Sequence, residues 1–277
     1  MRKILYFIEL SRPINGLIAF ISVFLGALLA SNSLLSLANV SIVAVAAFLI
    51  ISAGNALNDF CDVKIDKINK PKRPIPSGRI TRKEALTFSV ILLEIGTCMG
   101  MLVGLTAFLI AFSVSVCLAF YAIWLKRTPL AGNIVVGLLT ALIFISGGVA
   151  VNSLSGTIIP AIFAFLFTTA REIVKDIEDI EGDQRAGAKT TPIFWGSRVS
   201  MYLIFIFMAS VIVFSPIPYL AHLYSWKYLI AVVLGVDCFL CYCIASLWKN
   251  LSRKNVARIQ KLMKLDIFVG LGAMFLR

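Results

Sequence analysis

Two acidic segments of this 277-residue chain carry carboxylates at helical spacing. Asn55, Asn58, Asp59, Asp62 and Asp66 step by three or four, apart from the adjacent Asn58 and Asp59, so on a helix they form one stripe. Glu172, Asp176, Asp179 and Asp183 step by four, three and four and form a second stripe, with Glu178 and Glu181 pointing elsewhere. Hard oxygen ligands with no thiolate or imidazole among them suit Mg²⁺, which keeps waters and bridges to phosphate oxygens. Two such clusters can grip a diphosphate. Each stripe follows a long apolar run, which places it at the C-terminal end of an inward-running helix. There the helix dipole disfavours a carboxylate by about 0.3–1 kcal/mol, and like charges at i,i+4 add a similar penalty. The arrangement therefore opposes stability unless a cation is present. The alternative is that the acids pair with Lys64, Lys67, Arg171 and Lys175 and sit in water; two clusters at matching places weigh against it.

Basic side chains flank the acids: Lys70, Lys72, Arg73, Lys126, Arg127, Lys189 and Arg198. A diphosphate leaving group gains charge as its bond breaks, and Lys and Arg supply the neutralising field. The segment from Tyr121 to Lys126 and Arg127 puts a phenol and two cations at one helix end, although the two cations also read as a plain stop-transfer pair.

The elements that must position these groups are membrane helices. The chain is 60% apolar and only 14% charged, with mean hydropathy +0.94, where a soluble domain carries about 25% charged residues. About nine apolar runs are expected to span a bilayer, near residues 14–31, 38–58, 86–104, 106–125, 130–151, 157–174, 199–214, 226–248 and 262–276. If they alternate, 24 of the 26 Lys and Arg fall on one side, leaving only Lys227 and Arg277 on the other. That pattern predicts a cytoplasmic N-terminus, an outer C-terminus and cytoplasmic acidic clusters. The net charge of +12 is then mostly a topology signal, with some of it facing anionic lipid headgroups or phosphate substrates, and no nucleic-acid partner is implied. Cys238, Cys241 and Cys243 are close in sequence but have no nearby His or fourth Cys, and they read as packing thiols. His222 stands alone in a short outer loop.

The chain repeats its plan. Pro74-Ile75-Pro76-Ser77-Gly78-Arg79 follows the first cluster, and Pro192-Ile193-Phe194-Trp195-Gly196-Ser197-Arg198 follows the second. Arg12-Pro13-Ile14-Asn15 opens the first run, and Pro129-Leu130-Ala131-Gly132-Asn133 opens the fifth. The expected architecture is all-α: one integral membrane domain in two parallel four-helix halves, about 12–125 and 129–248, plus an extra helix near 262–276. Four spans per half bring both acidic clusters to one side. The Lys67–Arg82 loop is long and polar enough to act as a lid.

Asn58-Asp59-x-x-Asp62-x-x-x-Asp66 resembles the first motif of the UbiA superfamily of intramembrane prenyltransferases. Asp179-x-x-x-Asp183, with Glu181-Gly182-Asp183, is similar to its second motif, and Tyr121 through Arg127 to its third conserved segment. The resemblance covers nearly the whole chain. It implies Mg²⁺-dependent transfer of a prenyl group, with Asn58, Asp62 and Asp66 on one Mg²⁺, Asp179 and Asp183 on a second, and Asp59 and Asp176 as further metal partners. Asp62, Asp66, Asp179, Asp183 and Tyr121 would be the catalytic set. Arg73, Lys126, Arg127 and Lys72 would hold diphosphate oxygens, and Arg12, Asn15 and Lys189 the acceptor. Arg12-Pro13-Ile14-Asn15, Lys72 through Gly78 and Lys175 through Asp183 read like the archaeal ether-lipid branch, in which geranylgeranyl diphosphate alkylates the free hydroxyl of geranylgeranylglyceryl phosphate. The rival acceptors are an aromatic quinone precursor of the 4-hydroxybenzoate type and a tetrapyrrole. A secondary transporter is the distant alternative, but its site tends to lie near the bilayer midplane, where this chain holds few ionisable residues, chiefly Glu94 and Asp237. A CDP-alcohol transferase would need Asp-Gly and Ala-Arg dipeptides ahead of an acidic motif, and neither is there.

Overall fold

The structure, a computed structural model, describes residues 2–31 and 36–277. All regular structure among them is helical: α1 (Arg2–Ser11), α2 (Pro13–Ala30), α3 (Leu37–Cys61), α4 (Val63–Asn69), α5 (Arg82–Met99), α6 (Leu105–Ile123), α7 (Ala131–Ala150), α8 (Ile158–Arg185), α9 (Thr191–Phe194), α10 (Gly196–Phe214), α11 (Ile217–Leu220), α12 (Trp226–Ala231), α13 (Cys238–Lys249) and α14 (Arg253–Met274). One π-helical stretch, Val232–Asp237, joins α12 to α13. Each expected apolar run falls on a helix. Among the described residues seven helical segments are long and apolar enough to cross a membrane; α8 and α14 carry more charge, at one end each.

The α6 helix shows why this is a membrane protein. Leu105, Leu109, Phe112, Val116 and Phe120 form an exposed stripe, whereas Ala107, Ala111, Ser115 and Tyr121 are buried. Large apolar side chains outside and small or polar ones inside is the reverse of a water-soluble helix, and it suits lipid contact. The inward face carries a polar bond, Thr97 Oγ1 to Ser115 Oγ at 2.8 Å.

The chain divides into two compact units: residues 1–127 with 142–158 and 181–188, and residues 128–141 with 159–180 and 189–277. In the first unit, α3 is lined by buried Ala44, Ala46, Ala53 and Ala56. Small residues also let α2 and α7 touch. A Cβ at Gly26 would lie 2.3 Å from the Phe144 carbonyl oxygen, and one at Gly147 would lie 2.1 Å from that of Val23, so neither position admits a side chain. The start of α5 is fixed by a reciprocal cap: Glu84 N–H donates to Thr81 Oγ1 and Thr81 N–H to Glu84 Oε2, at 3.2 and 3.0 Å. The loop before it is anchored, since Ile75 and Ile80 are buried with Leu10, Ala56 and Ala85, and Arg79 pairs with Glu9 at 2.8 Å. That anchoring gives the segment a fixed seat beside α1 and α3.

In the second unit, Ser215 Oγ donates to Asp237 Oδ2 at 2.6 Å, and Tyr228 Oη donates to the Ser215 carbonyl at 3.0 Å. Asp237 Oδ1 and Asp266 Oδ2 are buried with no hydrogen-bond partner. A buried unsatisfied acceptor costs about 1–3 kcal/mol. Asp266→Leu is therefore expected to raise the thermal midpoint of the detergent-solubilised protein by a few degrees; a lower midpoint would show that this carboxylate is satisfied in solution. Cys243 is buried while Cys238 and Cys241 are exposed, so the three thiols do not face one point.

Candidate active site

The first acidic stripe straddles two helices. The α3 helix carries Asn55, Asn58 and Asp59, Asp62 stands at the junction, and Asp66 lies in α4. The bonds Asp62 N to Asn58 O and Asp66 N to Asp62 O, 2.9 and 2.8 Å, meet at the junction, and Arg73 reaches both Asp59 and Asp66, which puts those carboxylates on one side. The junction corrects the expected electrostatics. Asp66 sits in the first turn of α4, where the helix dipole favours a carboxylate by about 0.3–1 kcal/mol instead of opposing it.

Asp59, Asp62 and Asp66 are 2%, 4% and 3% exposed, too buried to stand unpaired as anions. Each has a basic partner. Arg12 donates to Asp59 Oδ1. Arg73 Nη1 reaches Asp59 Oδ1 at 3.1 Å and Asp66 Oδ2 at 2.6 Å, and Lys126 Nζ binds Asp62 Oδ2. Burial pushes the Asp66 carboxyl above its ordinary value, and the Arg73 charge and hydrogen bond pull it back. Burial likewise lowers the Arg12 guanidinium, with Asp59 opposing. Arg12 adopts φ 51°, left-handed, immediately before Pro13. A non-glycine residue there stores about 1–3 kcal/mol of strain, and such strain clusters at functional sites. Among the described residues the alternative pairing of Lys64 and Lys67 with this cluster does not form: the partners come from the α1–α2 junction, the loop before α5 and the segment after α6.

Asn15, expected at the acceptor, donates to Asn55 Oδ1 at 3.3 Å, and Asn55 Nδ2 donates to the Ser11 carbonyl at 3.0 Å. Tyr121 is buried on α6. Lys72 is exposed, and its carbonyl accepts from Arg79. Arg127 and Lys189 are exposed.

The second stripe lies on α8 without interruption. Glu172 is paired as the alternative reading expected, with Lys175 at 2.9 Å and Arg171 at 3.3 Å. Glu181 points away to Arg185 at 2.8 Å. Asp176 Oδ2 accepts from Asn133 Nδ2 at 2.8 Å, Asn133 Oδ1 accepts from Thr191 Oγ1 at 3.1 Å, and Thr191 Oγ1 accepts from Leu130 N–H at 2.9 Å. Neither Asn133 nor Thr191 is acidic or basic, and neither stands out as a site residue by type alone. The signal was there: Asn133 stands in the repeat where Asn15 stands in the first half. Asp183 is 6% exposed, and its carbonyl closes the helix by accepting from Ala186 and Ala188 N–H at 3.2 and 2.9 Å.

Gly182 brings the end of α8 to α4. A Cβ there would lie 2.3 Å from Asn69 Nδ2, three residues beyond Asp66. Gly182→Ala is therefore expected to displace Asn69 and lower turnover about 10²-fold, the order of loss that a misplacement of about 1 Å produces. Unchanged turnover would show that Asn69 yields freely.

Among the described residues no three Asp, Glu, His or Cys side chains converge to hold a metal ion in this arrangement, because basic side chains occupy the carboxylates. The donor set nonetheless fits Mg²⁺. It is all oxygen, and the Oδ1 of Asn58, beside Asp59 on the same stripe, is buried with no hydrogen-bond partner, an acceptor that a cation would satisfy.

In this helical membrane protein the first stripe is an all-oxygen donor set neutralised by Arg12, Arg73 and Lys126, an arrangement that can bind a polyanion through cations. Residues 19–271 match the UbiA prenyltransferase family, and the chain belongs to that family. It is 39% identical over 270 residues to a digeranylgeranylglyceryl phosphate synthase of Methanothermobacter thermautotrophicus, covering 98% of this chain and 93% of that one. It is 38% identical over 269 residues to the synthase of that name from Thermococcus kodakarensis, covering 96% and 95%. A solved structure described as that of a digeranylgeranylglyceryl phosphate synthase in membranes superposes with TM-score 0.77 at 33% identity, covering 99% of this chain and 98% of that one. A UbiA homologue from Archaeoglobus fulgidus, bound to DMAPP and Mg²⁺, shares the fold at 16% identity with TM-score 0.66, covering 96% of this chain and 99% of that one.

Proposed function

We propose that this chain transfers a geranylgeranyl group from geranylgeranyl diphosphate to the free hydroxyl of geranylgeranylglyceryl phosphate, forming the ether bond of an archaeal membrane lipid. The observation that carries the reading is the stripe of buried carboxylates Asp59, Asp62 and Asp66 paired with Arg12, Arg73 and Lys126, together with the full-length likeness to synthases of that name. Asn58, Asp62 and Asp66 are assigned to one Mg²⁺ and Asp179 and Asp183 to another, with Asp59 and Asp176 as supporting partners. When bound, Mg²⁺ supplies Lewis-acid neutralisation of the departing diphosphate.

The chain's own residues do the rest. Arg73 and Lys126 leave Asp66 and Asp62 and turn to diphosphate oxygens, so the cations that stabilise the resting protein stabilise the developing charge. Arg12 holds Asp59 in place. Asn133 and Thr191 orient Asp176. The Tyr121 phenol, buried at the end of α6, lies on the helix that leads to Lys126 and is assigned to the reacting region. Helix interiors lined with apolar groups exclude water, which would otherwise quench an allylic cation. The excess of Lys and Arg in alternate loops supports a cytoplasmic face for this chemistry, with the N-terminus cytoplasmic and the C-terminus outside. Nine membrane helices belong to this reading, two more than the seven helical segments among the described residues that are long and apolar enough to cross a membrane.

The test is turnover by purified protein with Mg²⁺ and geranylgeranyl diphosphate, offered geranylgeranylglyceryl phosphate and 4-hydroxybenzoate in parallel. Ether product from the first alone, abolished by EDTA and restored by Mg²⁺, is expected. Product from the aromatic acid alone would move the protein to quinone biosynthesis.

A further inference from the structure

The first unit holds a cleft of about 560 Å³ lined by Cys61, Val63, Lys64, Ile65, Lys67, Arg82, Arg127 and Ala186. Four of these eight residues are cationic and none is acidic. Nearby carboxylates are already engaged: Asp62 by Lys126, Asp66 by Arg73, and Glu84 by Lys3 at 2.5 Å. Lys64, Lys67, Arg82 and Arg127 make no ion pair among the described residues. Arg82 is nevertheless held in place. Its guanidinium lies 4.7 Å over the Phe60 ring, and it donates to the Phe60 carbonyl at 3.5 Å. Concave shape, apolar floor and converging, uncompensated cations define a site for a phosphate-bearing ligand.

The cleft also adjoins the carboxylates. Lys126 and Arg127 are consecutive, and the first binds Asp62 while the second lines the cleft. Lys64 and Lys67 flank Asp66 on α4. We propose that this cleft binds the phosphate monoester of the glycerol-lipid acceptor, with Lys64, Lys67, Arg82 and Arg127 as its anion-recognising groups. The assignment rests on the proposed function and deepens it. On a three-carbon glycerol the free hydroxyl lies within two carbons of the phosphate. A phosphate seated here would rest on the same two segments that carry Asp66 and Lys126, with the free hydroxyl close to it on the glycerol. It also moves acceptor recognition away from Arg12 and Asn15, which are engaged with Asp59 and Asn55.

The test uses the full chain in nanodiscs of neutral phosphatidylcholine, comparing wild type with Lys64→Gln/Lys67→Gln and with Arg82→Gln. The expected result is a KM for geranylgeranylglyceryl phosphate raised at least about tenfold, with the KM for geranylgeranyl diphosphate unchanged. Parallel rises in both constants, or no change in either, overturn the proposal. Nanodiscs containing anionic phosphatidylglycerol separate the sources of phosphate. An acceptor KM that rises with anionic lipid in wild type but not in the variants shows headgroups competing for the same cleft and supports the site. A defect that appears only with anionic lipid assigns the cations to the membrane surface and overturns it. If wild type makes no product, the proposed function fails on its own, and equilibrium binding decides the cleft. Preference for the phosphate ester over its dephosphorylated alcohol, lost in the variants, supports it; equal binding of both sinks it.

Discussion

Asp62→Ala and Asp183→Ala are each expected to lower turnover by at least about 10³-fold, the scale on which removing a group that stabilises transition-state charge is felt. Neither change is expected to unfold the protein. Lys126, the partner of Asp62, is 23% exposed and is left facing water rather than buried and unpaired. At Asp183 the helix-closing bonds from Ala186 and Ala188 end on the main-chain carbonyl, which alanine retains. The measurement is steady-state turnover of size-exclusion-purified variants alongside their thermal midpoints. Activity within tenfold of wild type in a folded variant would remove that carboxylate from the metal assignment.

Arg73→Met is expected to act on stability as well as on rate. Arg73 bridges Asp59 and Asp66, whose side chains are 3% and 5% exposed. Removing one partner of a buried ion pair costs about 3–5 kcal/mol, because the remaining charge is stranded. In a chain of this size that corresponds to a fall of roughly 10 °C in the midpoint. Magnesium should then stabilise the variant more than the wild type. In wild type an added cation competes with the guanidinium for the same oxygens; in the variant Asp59 keeps Arg12 but Asp66 has lost Arg73, and ligand-linked stabilisation grows as the dissociation constant falls. The comparison is the midpoint with and without millimolar Mg²⁺ in both proteins. An equal increment in the two would mean that Arg73 and the metal do not share carboxylates, and the proposed exchange of partners would fall.

Much of this site was legible in the residues. A period of three and four put Asp59, Asp62 and Asp66 on one face, and in the structure Asp59 and Asp66 share Arg73 across the helix junction at Asp62. The apolar runs located the helices because lipid imposes both length and composition on a spanning segment. The paired motifs suggested two halves, and the same repeat set Asn133 opposite Asn15 without showing what it binds. The Lys67–Arg82 loop was long and polar enough to be a lid, but its sequence does not show motion. In the structure Ile75 and Ile80 are buried in that stretch, and two apolar residues among many polar ones give no sequence sign of being anchors.

What the sequence by itself determined is the inventory: acidic stripes, a surplus of cations and the membrane helices that carry them. Those are consequences of short-range rules, the pitch of a helix and the polarity of its surroundings, which act over a few residues. The tertiary structure alone decided the pairing. Asp59 is met by Arg12, 47 positions away, and Asp62 by Lys126, 64 positions away, whereas Lys64 and Lys67, far nearer in sequence, open onto a cleft instead. A charge pairs with whichever opposite charge packing brings within a few ångströms in a buried, low-dielectric setting, and only the fold sets that distance.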